Sequence, residues 1–458
     1  MAGTGGCSPA LGYRLGSTLT HTKTVVLPLA SNVTTNVSKL GDVPRLLDET
    51  AGIGMRLSQH NIGQDLAVSG VWGSLRGVLA AAIARHASNI LMLLPEAADA
   101  DVVAGDAAAF GLADVASLPL SASEASASSI RDDDYADRLQ VLQRLVARDA
   151  DSAAPLLVTA YIGGAMQLVP TPEKLEASTR RIAVGDELEP ETIRRWLAES
   201  GFSATTAVQL PGEFAARGGL LDVYSADQPQ PIRIEWFGDE IESIRRFDPG
   251  SQRSIESLEQ IEIAAVGIAI DQRFESFEDD AVSEHAGVNE QSSSGEGLGS
   301  IAEYLPADTL VLVVDPQECE RSADALKKRS GEEANLMSFQ ELIESLAKYR
   351  MVTGTTLAKG KRDEIVDLKS TTADGFALSL DETRSRLDSV AKADEIMLVG
   401  DTPADGERLT ELLHDTDAAR QGRLHLVVAE LSGGFRLAGS NVLVLTGAEL
   451  FHRSPVRR

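Results

Sequence analysis

Two cysteines in 458 residues, Cys7 and Cys319, are too few and too far apart for a disulfide framework or a CxxC metal site. The chain reads as one kept in a reducing compartment. No apolar run approaches the ~18 residues of a membrane span. The N-terminal stretch MAGTGGCSPALGYRLGSTLTHTK also lacks the continuous apolar segment of a secretory signal. Aromatic residues make up only 4% of the chain, so its cores must be built from Leu, Val, Ile and Ala. Positive charge is short as well: 42 Lys and Arg stand against 69 Asp and Glu, a net charge of −27. Such a surface repels a phosphate backbone, which weighs against a nucleic-acid-binding module and suits a soluble, cytoplasmic protein. The seven histidines show no H-x-x-x-H spacing, and no G-x-S-x-G elbow is present. Paired carboxylates such as Asp239 and Glu240 follow a glycine and read as a solvated turn. No cofactor, metal or catalytic residue is expected.

Hydrophobic periodicity is plentiful. NILMLLP (89–95), APLLVTAY (154–161) and TLVLVVDP (309–316) are short continuous apolar runs, the mark of strands buried on both faces. GSLRGVLAAAIARHA (73–87), DADVVAGDAAAFG (99–111) and the charged segment 132–148 carry helical patterns between them. Strand and helix in alternation predict an α/β fold with an open, mostly parallel sheet. The pattern changes at Ala183. A helix with Pro190 near its start and Gly201 past its end leads into TAVQL, GGLLDVY, IRIEWF and EIESIRRFD, alternating segments punctuated by Gly, Pro and Asp. These predict an inserted α+β antiparallel domain. EIMLVGD (395–401), LHLVVAEL (424–431) and NVLVLTGAELF (441–451) predict a second, small α/β domain. The expected divisions are a disordered tail over 1–36, the first part of the α/β domain over 37–182, the insert over 183–265, an acidic linker and return over 266–330, and the small domain over 331–458. The ending HRSPVRR reads as a cut or a linker into something further.

GVWGSLRG (70–77) resembles a phosphate-binding loop with its working parts replaced. The pattern G-x-x-x-x-G-K-[ST] needs glycine where backbone N–H groups close on phosphate, lysine for charge, and a hydroxyl for Mg²⁺. Gly70, Gly73 and Ser74 are present, but Leu75 holds the second glycine position, Arg76 the lysine and Gly77 the hydroxyl. The loop reads as degenerate and non-functional, a helix N-terminus packed under a sheet.

In IRIEWFGDEIESI, strand alternation puts Ile232, Ile234 and Trp236 on one face and Arg233, Glu235 and Phe237 on the other. Arginine and large aromatics together are what interface anchors are made of. The same residues also fit a self-contained Arg–Glu pair with the ring covered by a loop, and alternation alone does not choose. Arg217, just before Gly218 and Gly219, is placed near the same surface.

The long run LPGEFAARGGLLDVYSADQPQPIRIEWFGDEIESIRRFDPGSQRSIESLEQIEI resembles the UvrB-like interaction domain of the bacterial transcription-repair coupling factors. SGVWGSLRGVLAAAIA, SIAEYLPADTLVLVVDP and GGFRLAGSNVLVLTGAELF resemble other N-terminal segments of that family, from about Lys39 onward. Two departures are a basic residue missing after the insert's helix, where GFSATT stands, and an apparently shortened stretch over 264–300. The resemblance implies a UvrB-like module that has lost ATPase chemistry, with an insert that binds the damage-recognition protein UvrA. It implies a non-catalytic adaptor recruiting UvrA and nucleotide excision repair to stalled RNA polymerase. Polymerase and DNA would be met only through C-terminal domains that this chain does not carry, and no membrane partner is implied. The UvrA-contacting pattern falls on Arg217, Arg233 and Phe237, with Glu235 as neighbour; the arginines would meet acidic groups on UvrA and the ring a pocket. The rival reading is a fragment of an ATP-dependent DNA translocase or helicase, with residual nucleotide or damaged-DNA binding through residues 70–77.

Overall fold

The computed structural model describes residues 40–121, 133–148, 154–264, 297–330, 335–357, 365–373, 380–390 and 394–451. The N-terminal tail over 1–36 and the acidic stretch over 265–296 lie outside these residues. The chain enters through helices Val43–Ala51 and Ile53–Gln59 and lays down four strands, β1 (Asp65–Ser69), β2 (Asn89–Leu94), β3 (Asp114–Leu118) and β4 (Leu156–Tyr161). After β4 come β5 (Val169–Pro170) and β6 (Thr179–Ala183), then the insert with β7 (Ser203–Ala204), β8 (Glu213–Arg217), β9 (Leu220–Tyr224), β10 (Ile232–Phe237), β11 (Glu240–Phe247) and β12 (Ser254–Leu258). The return runs through β13 (Gln260–Ala264), β14 (Leu298–Gly299), β15 (Leu310–Val314), β16 (Arg350–Thr355) and β17 (Ile365–Asp367). The last unit holds β18 (Ser370–Thr372), β19 (Glu395–Gly400), β20 (Leu424–Val428), β21 (Phe435–Leu437) and β22 (Val442–Thr446).

The first sheet is parallel throughout, in the order β17-β1-β16-β15-β2-β4-β3. The expected α/β architecture with its antiparallel insert is what the chain adopts. β2, β4 and β15 are buried at every position, as their unbroken apolar runs require. Side-chain alternation then makes these strands feed two cores, one on each face of the sheet. Leu91, Leu93, Val311 and Val313 face one core, while Ile90, Met92, Leu94, Leu310, Leu312 and Val314 face the other. The first core continues into the insert through Ile182, Ile232, Ile234, Trp236 and Ile263. The second continues into the last unit through Met397, Val399, Phe435, Leu437 and Val444.

The insert leaves and rejoins by an antiparallel ribbon of β6 and β13. Its sheet has the order β12-β11-β10-β9-β8-β7, antiparallel except at β7 and β8. TAVQL is not a strand. The N–H groups of Gln209 and Leu210 are donated to the Glu213 carboxylate at 2.9 and 3.0 Å, and Val208 turns inward to pack with Ala215 and Phe247. The boundary expected at residue 330 also moves. β16 pairs with β1 and β15, and β17 with β1, so the return to the first sheet extends to Asp367 and the last unit's strands begin at Ser370. Among the described residues no helix is long and apolar enough to cross a membrane.

The last unit joins the first by more than apolar contact. The rings of Phe110 and Phe435 meet at 6.0 Å between centroids. Asp106, 1% exposed on helix Ala97–Ala109, accepts from the Ser432 N–H at 2.9 Å and the Ser432 hydroxyl at 2.6 Å. Burial pushes the Asp106 carboxyl up to about 6, against the pull of those hydrogen bonds. Folding therefore raises its proton affinity: the folded chain binds a proton here between about pH 4 and 6 where the unfolded chain does not. This group favours folding more as the pH falls through that window and costs stability above it. Asp106→Asn keeps an acceptor and a donor for Ser432 but cannot ionise. Thermal unfolding should place the variant above the parent at pH 7.5, with the gap shrinking by on the order of 2 kcal/mol at pH 4.5. A gap that does not vary with pH would show that Asp106 carries no burial penalty.

Candidate functional site

The loop 70–74 does join a strand to a helix, β1 to Leu75–Ile83. Gly70 and Gly73 adopt left-handed φ values of 83° and 49°. Its backbone, however, is turned to internal partners. Gly70 N–H and Val71 N–H donate to the carbonyls of Thr356 and Thr355, at 3.2 and 3.0 Å, and Leu75 N–H and Arg76 N–H to those of Trp72 and Gly73. Ser370 Oγ donates to the Gly70 carbonyl at 2.8 Å and accepts from Trp72 Nε1 at 3.1 Å. The buried Ser74 hydroxyl donates to the Gly433 carbonyl at 2.6 Å. Arg76 pairs with Asp99. At Gly77 a Cβ would lie 2.7 Å from Asp106 Cβ and from Ala107 N, so the glycine serves helix packing. A phosphate-binding loop keeps such N–H groups for its ligand; here Gly70, Val71, Leu75 and Arg76 spend theirs within the chain, and Ser370 and Gly433 of the last unit close over the loop.

The insert presents a different surface. Register places Ala215, Asp222, Arg233, Arg245 and Ser257 in one row across five strands, and Arg217, Leu220, Glu235 and Ser243 in the next row of the same face. The opposite face is the core side: Ile232, Ile234 and Trp236 are buried there, as alternation requires. Two tight turns lie at one end of this sheet. Gly218, at φ 59°, turns β8 into β9 directly after Arg217, and Gly238, at φ 64°, turns β10 into β11 directly after Phe237. A Cβ on Gly219 would stand 3.0 Å from the Trp236 carbonyl, so the first turn sits hard against the end of β10. The second turn is braced from outside: Leu188 N–H donates to the Asp239 carbonyl at 2.7 Å and Ile241 N–H to that of Asp186 at 3.0 Å. Trp236 Nε1 donates to the Leu188 carbonyl at 2.8 Å. Phe237 is thus held on a rigid hairpin, and it is 79% exposed.

The four residues singled out in the sequence share this face and differ in state. Arg217 is exposed, with one Nη donating to the Thr206 carbonyl. Arg233 is half-buried. Its Nε and Nη2 make a bidentate pair with Asp222 at 2.7 and 2.8 Å, Nη2 also reaches Gln252 at 3.2 Å, and the guanidinium lies 4.5 Å above the Phe247 ring. The Asp222 hydrogen bonds, foremost, raise its pKa. Glu235 is not its partner, in contrast to the Arg–Glu pair that alternation left open. Glu235 Oε2 instead accepts from Ser243 Oγ at 2.8 Å and Arg245 Nη2 at 2.7 Å. Nor, among the described residues, does any loop cover the Phe237 ring. Sequence reasoning missed Arg245 because a bulge breaks the alternation of β11: Glu235 pairs with Ser243 and Trp236 with Ile241, leaving Glu242 extra. The signal was available, since Ile241 and Ile244 are three apart where period two would space them by two.

This insert coincides with a protein-family match: residues 181–267 match the UvrB interaction domain. The chain is 24% identical to a transcription-repair-coupling factor of Bacillus subtilis over 460 residues, covering 86% of this chain and 39% of that protein. It is 27% identical to the transcription-repair-coupling factor of Escherichia coli, covering 57% of this chain and 24% of that protein. The UvrABC system protein B of Thermosipho africanus is 38% identical over 82 residues, 18% of this chain and 12% of that protein. Fold and matches together define an α/β frame whose antiparallel insert matches the UvrB interaction domain. Within that class the chain is similar over most of its length to transcription-repair coupling factors, as the motifs implied. It spans about two fifths of the length of the Bacillus subtilis relative.

The geometry separates two substitutions. Arg233→Ala strands Asp222, whose side chain is 9% exposed, without its counter-ion; the expected loss is about 3 kcal/mol of stability. Phe237→Ala removes a ring that touches water and should leave stability within about 0.5 kcal/mol. Chemical denaturation of the two variants checks both, and equal stability would mean that Asp222 is not held by Arg233.

Proposed function

We propose that this chain is a non-catalytic, cytoplasmic adaptor that docks UvrA on the insert's exposed face, as part of a transcription-repair coupling factor. In that role it brings nucleotide excision repair to stalled RNA polymerase, with polymerase and DNA met through parts of the protein beyond this chain. The observation that carries the reading is Phe237. A phenylalanine 79% exposed on a braced hairpin, beside exposed Arg217, has the form of a preorganised interface anchor. The match to the UvrB interaction domain and the similarity to both coupling factors and UvrABC system protein B support UvrA as the partner. Arg217, Phe237 and Glu235 belong to this site directly; Arg233 belongs to it through the pairing that keeps β9 and β10 in place. The internal hydrogen bonds of the loop 70–74 support a role without nucleotide chemistry.

Calorimetric titration of UvrA into the parent and Phe237→Ala proteins tests the reading. Loss of such an anchor typically costs about 2 kcal/mol or more, a weakening of at least ~30-fold. Equal affinities would refute the assigned surface. Titration with Mg·ATP should give no binding heat, and a saturable isotherm would restore the nucleotide-dependent alternative.

A further inference from the structure

The two arginines at the middle of this face are unequal. Arg233 and Arg245 stand directly opposite each other on β10 and β11, an arrangement that brings Cβ atoms to ~5 Å and repels unless both charges are answered. Each is answered by its own carboxylate, but to different extents. Arg233 commits Nε and Nη2 to Asp222 and Gln252 over an aromatic ring, and its side chain is 19% exposed. Arg245 makes one hydrogen bond, from Nη2 to Glu235, and its side chain is 37% exposed. A guanidinium has five donors in a planar fork. The Glu235 contact fixes the Arg245 fork at one corner and leaves the rest of it open. Glu235 is itself held by Ser243 at 2.8 Å, so the corner does not swing freely. Phe237 lies two residues along β10 from Glu235 on the same face, ~7 Å at strand rise, and Arg217 lies in Glu235's own row two strands away.

We infer that Arg245 is a further anchor of this docking surface, its open fork receiving a carboxylate of the partner, and that Glu235 is its positioning residue. The inference rests on the reading of this face as the UvrA surface. It assigns the partner an acidic side chain set beside the apolar pocket that takes Phe237. Arg217 and Arg245 are then cations on this face available to the partner, and Arg233 holds the strands beneath.

The test is UvrA binding by the full chain carrying Arg245→Gln, Arg245→Lys, Glu235→Gln or Phe237→Ala, and by the Glu235→Gln, Arg245→Gln double variant. Glutamine keeps the stem of Arg245 and a donor for Glu235, so the thermal midpoint should stay at the parent's. The expected result is ~10-fold weaker binding for Arg245→Gln, the order of a good charge-assisted hydrogen bond. Arg245→Lys should recover only part of it, because an ammonium cannot form the fork. Glu235→Gln should weaken binding less than Arg245→Gln, and the double variant should be no worse than Arg245→Gln alone, which is the coupling a merely structural Glu235 would not produce. Parent-like binding by Arg245→Gln with loss in Phe237→Ala would overturn the role of Arg245 and leave the surface standing. Parent-like binding by both would overturn the surface itself. Additive losses in the double variant would overturn the positioning role of Glu235.

Discussion

A parallel sheet buried on both faces is the constraint from which the other features follow. Successive side chains of a strand point to opposite sides, so β2 and β15 must each supply two cores at once. Leu91, Leu93, Val311 and Val313 feed the core shared with the insert, while Ile90, Met92, Leu94, Leu310, Leu312 and Val314 feed the one shared with the last unit. Neither flanking unit can swing away without exposing an apolar face of the same strands. The insert's outer face, with Phe237 at its end, therefore rests, through Trp236 and Ile234 on its back, on a core continuous with the first sheet. An exposed aromatic on such a support loses little conformational freedom when a partner covers it.

The loop 70–74 has the frame of a phosphate-binding loop and turns it to internal contacts. Left-handed glycines and inward N–H groups let such a loop wrap an anion. The same features let it wrap protein. Gly70 makes room for Ser370, whose Oγ would lie 2.6 Å from a Cβ there, and the neighbouring N–H groups reach the end of β16. Losing the second glycine to Leu75 adds a fully buried side chain to the second core. The loop forms a joint between two units, with Ser370 and Gly433 of the last unit against it.

Much of this was legible in the sequence, and the gaps have physical causes. The runs at 89–95, 154–161 and 309–316 announced buried strands because burial on both faces leaves little place for polar residues, and the few present, such as Thr159, must be hydrogen-bonded. β16 gave no such signal. Of Arg350–Thr355, Val352 and Gly354 are buried and the alternate positions are partly exposed, so RMVTGT looks like a loop until its pairing with β1 and β15 is known. TAVQL alternates like a strand, yet Glu213 captures the N–H groups a ladder would need. In the candidate site, alternation put Arg233, Glu235 and Phe237 on one face correctly. It could not supply Asp222, which lies eleven positions before Arg233 and reaches it only through the register of β9 with β10. Nor could it carry past the bulge at Glu242, where the period of two fails and Arg245 emerges on the same face as Arg233.

Net charge misled in one respect that the structure clarifies. At −27 the chain repels polyanions at long range. Electrostatic influence in salt water fades over ~8 Å, which is less than two strand spacings across a sheet. What a docking partner meets is thus set by the row it touches. Asp222 cancels the charge of Arg233 within the face, and Glu235 shares that of Arg245 through a single hydrogen bond. Arg217 and the open fork of Arg245 stay accessible on this face, and Asp239 and Glu240 stand exposed in the turn after the ring. A surface so arranged is selective by proximity. Its character is set by the pairing of each residue rather than by the charge of the whole chain.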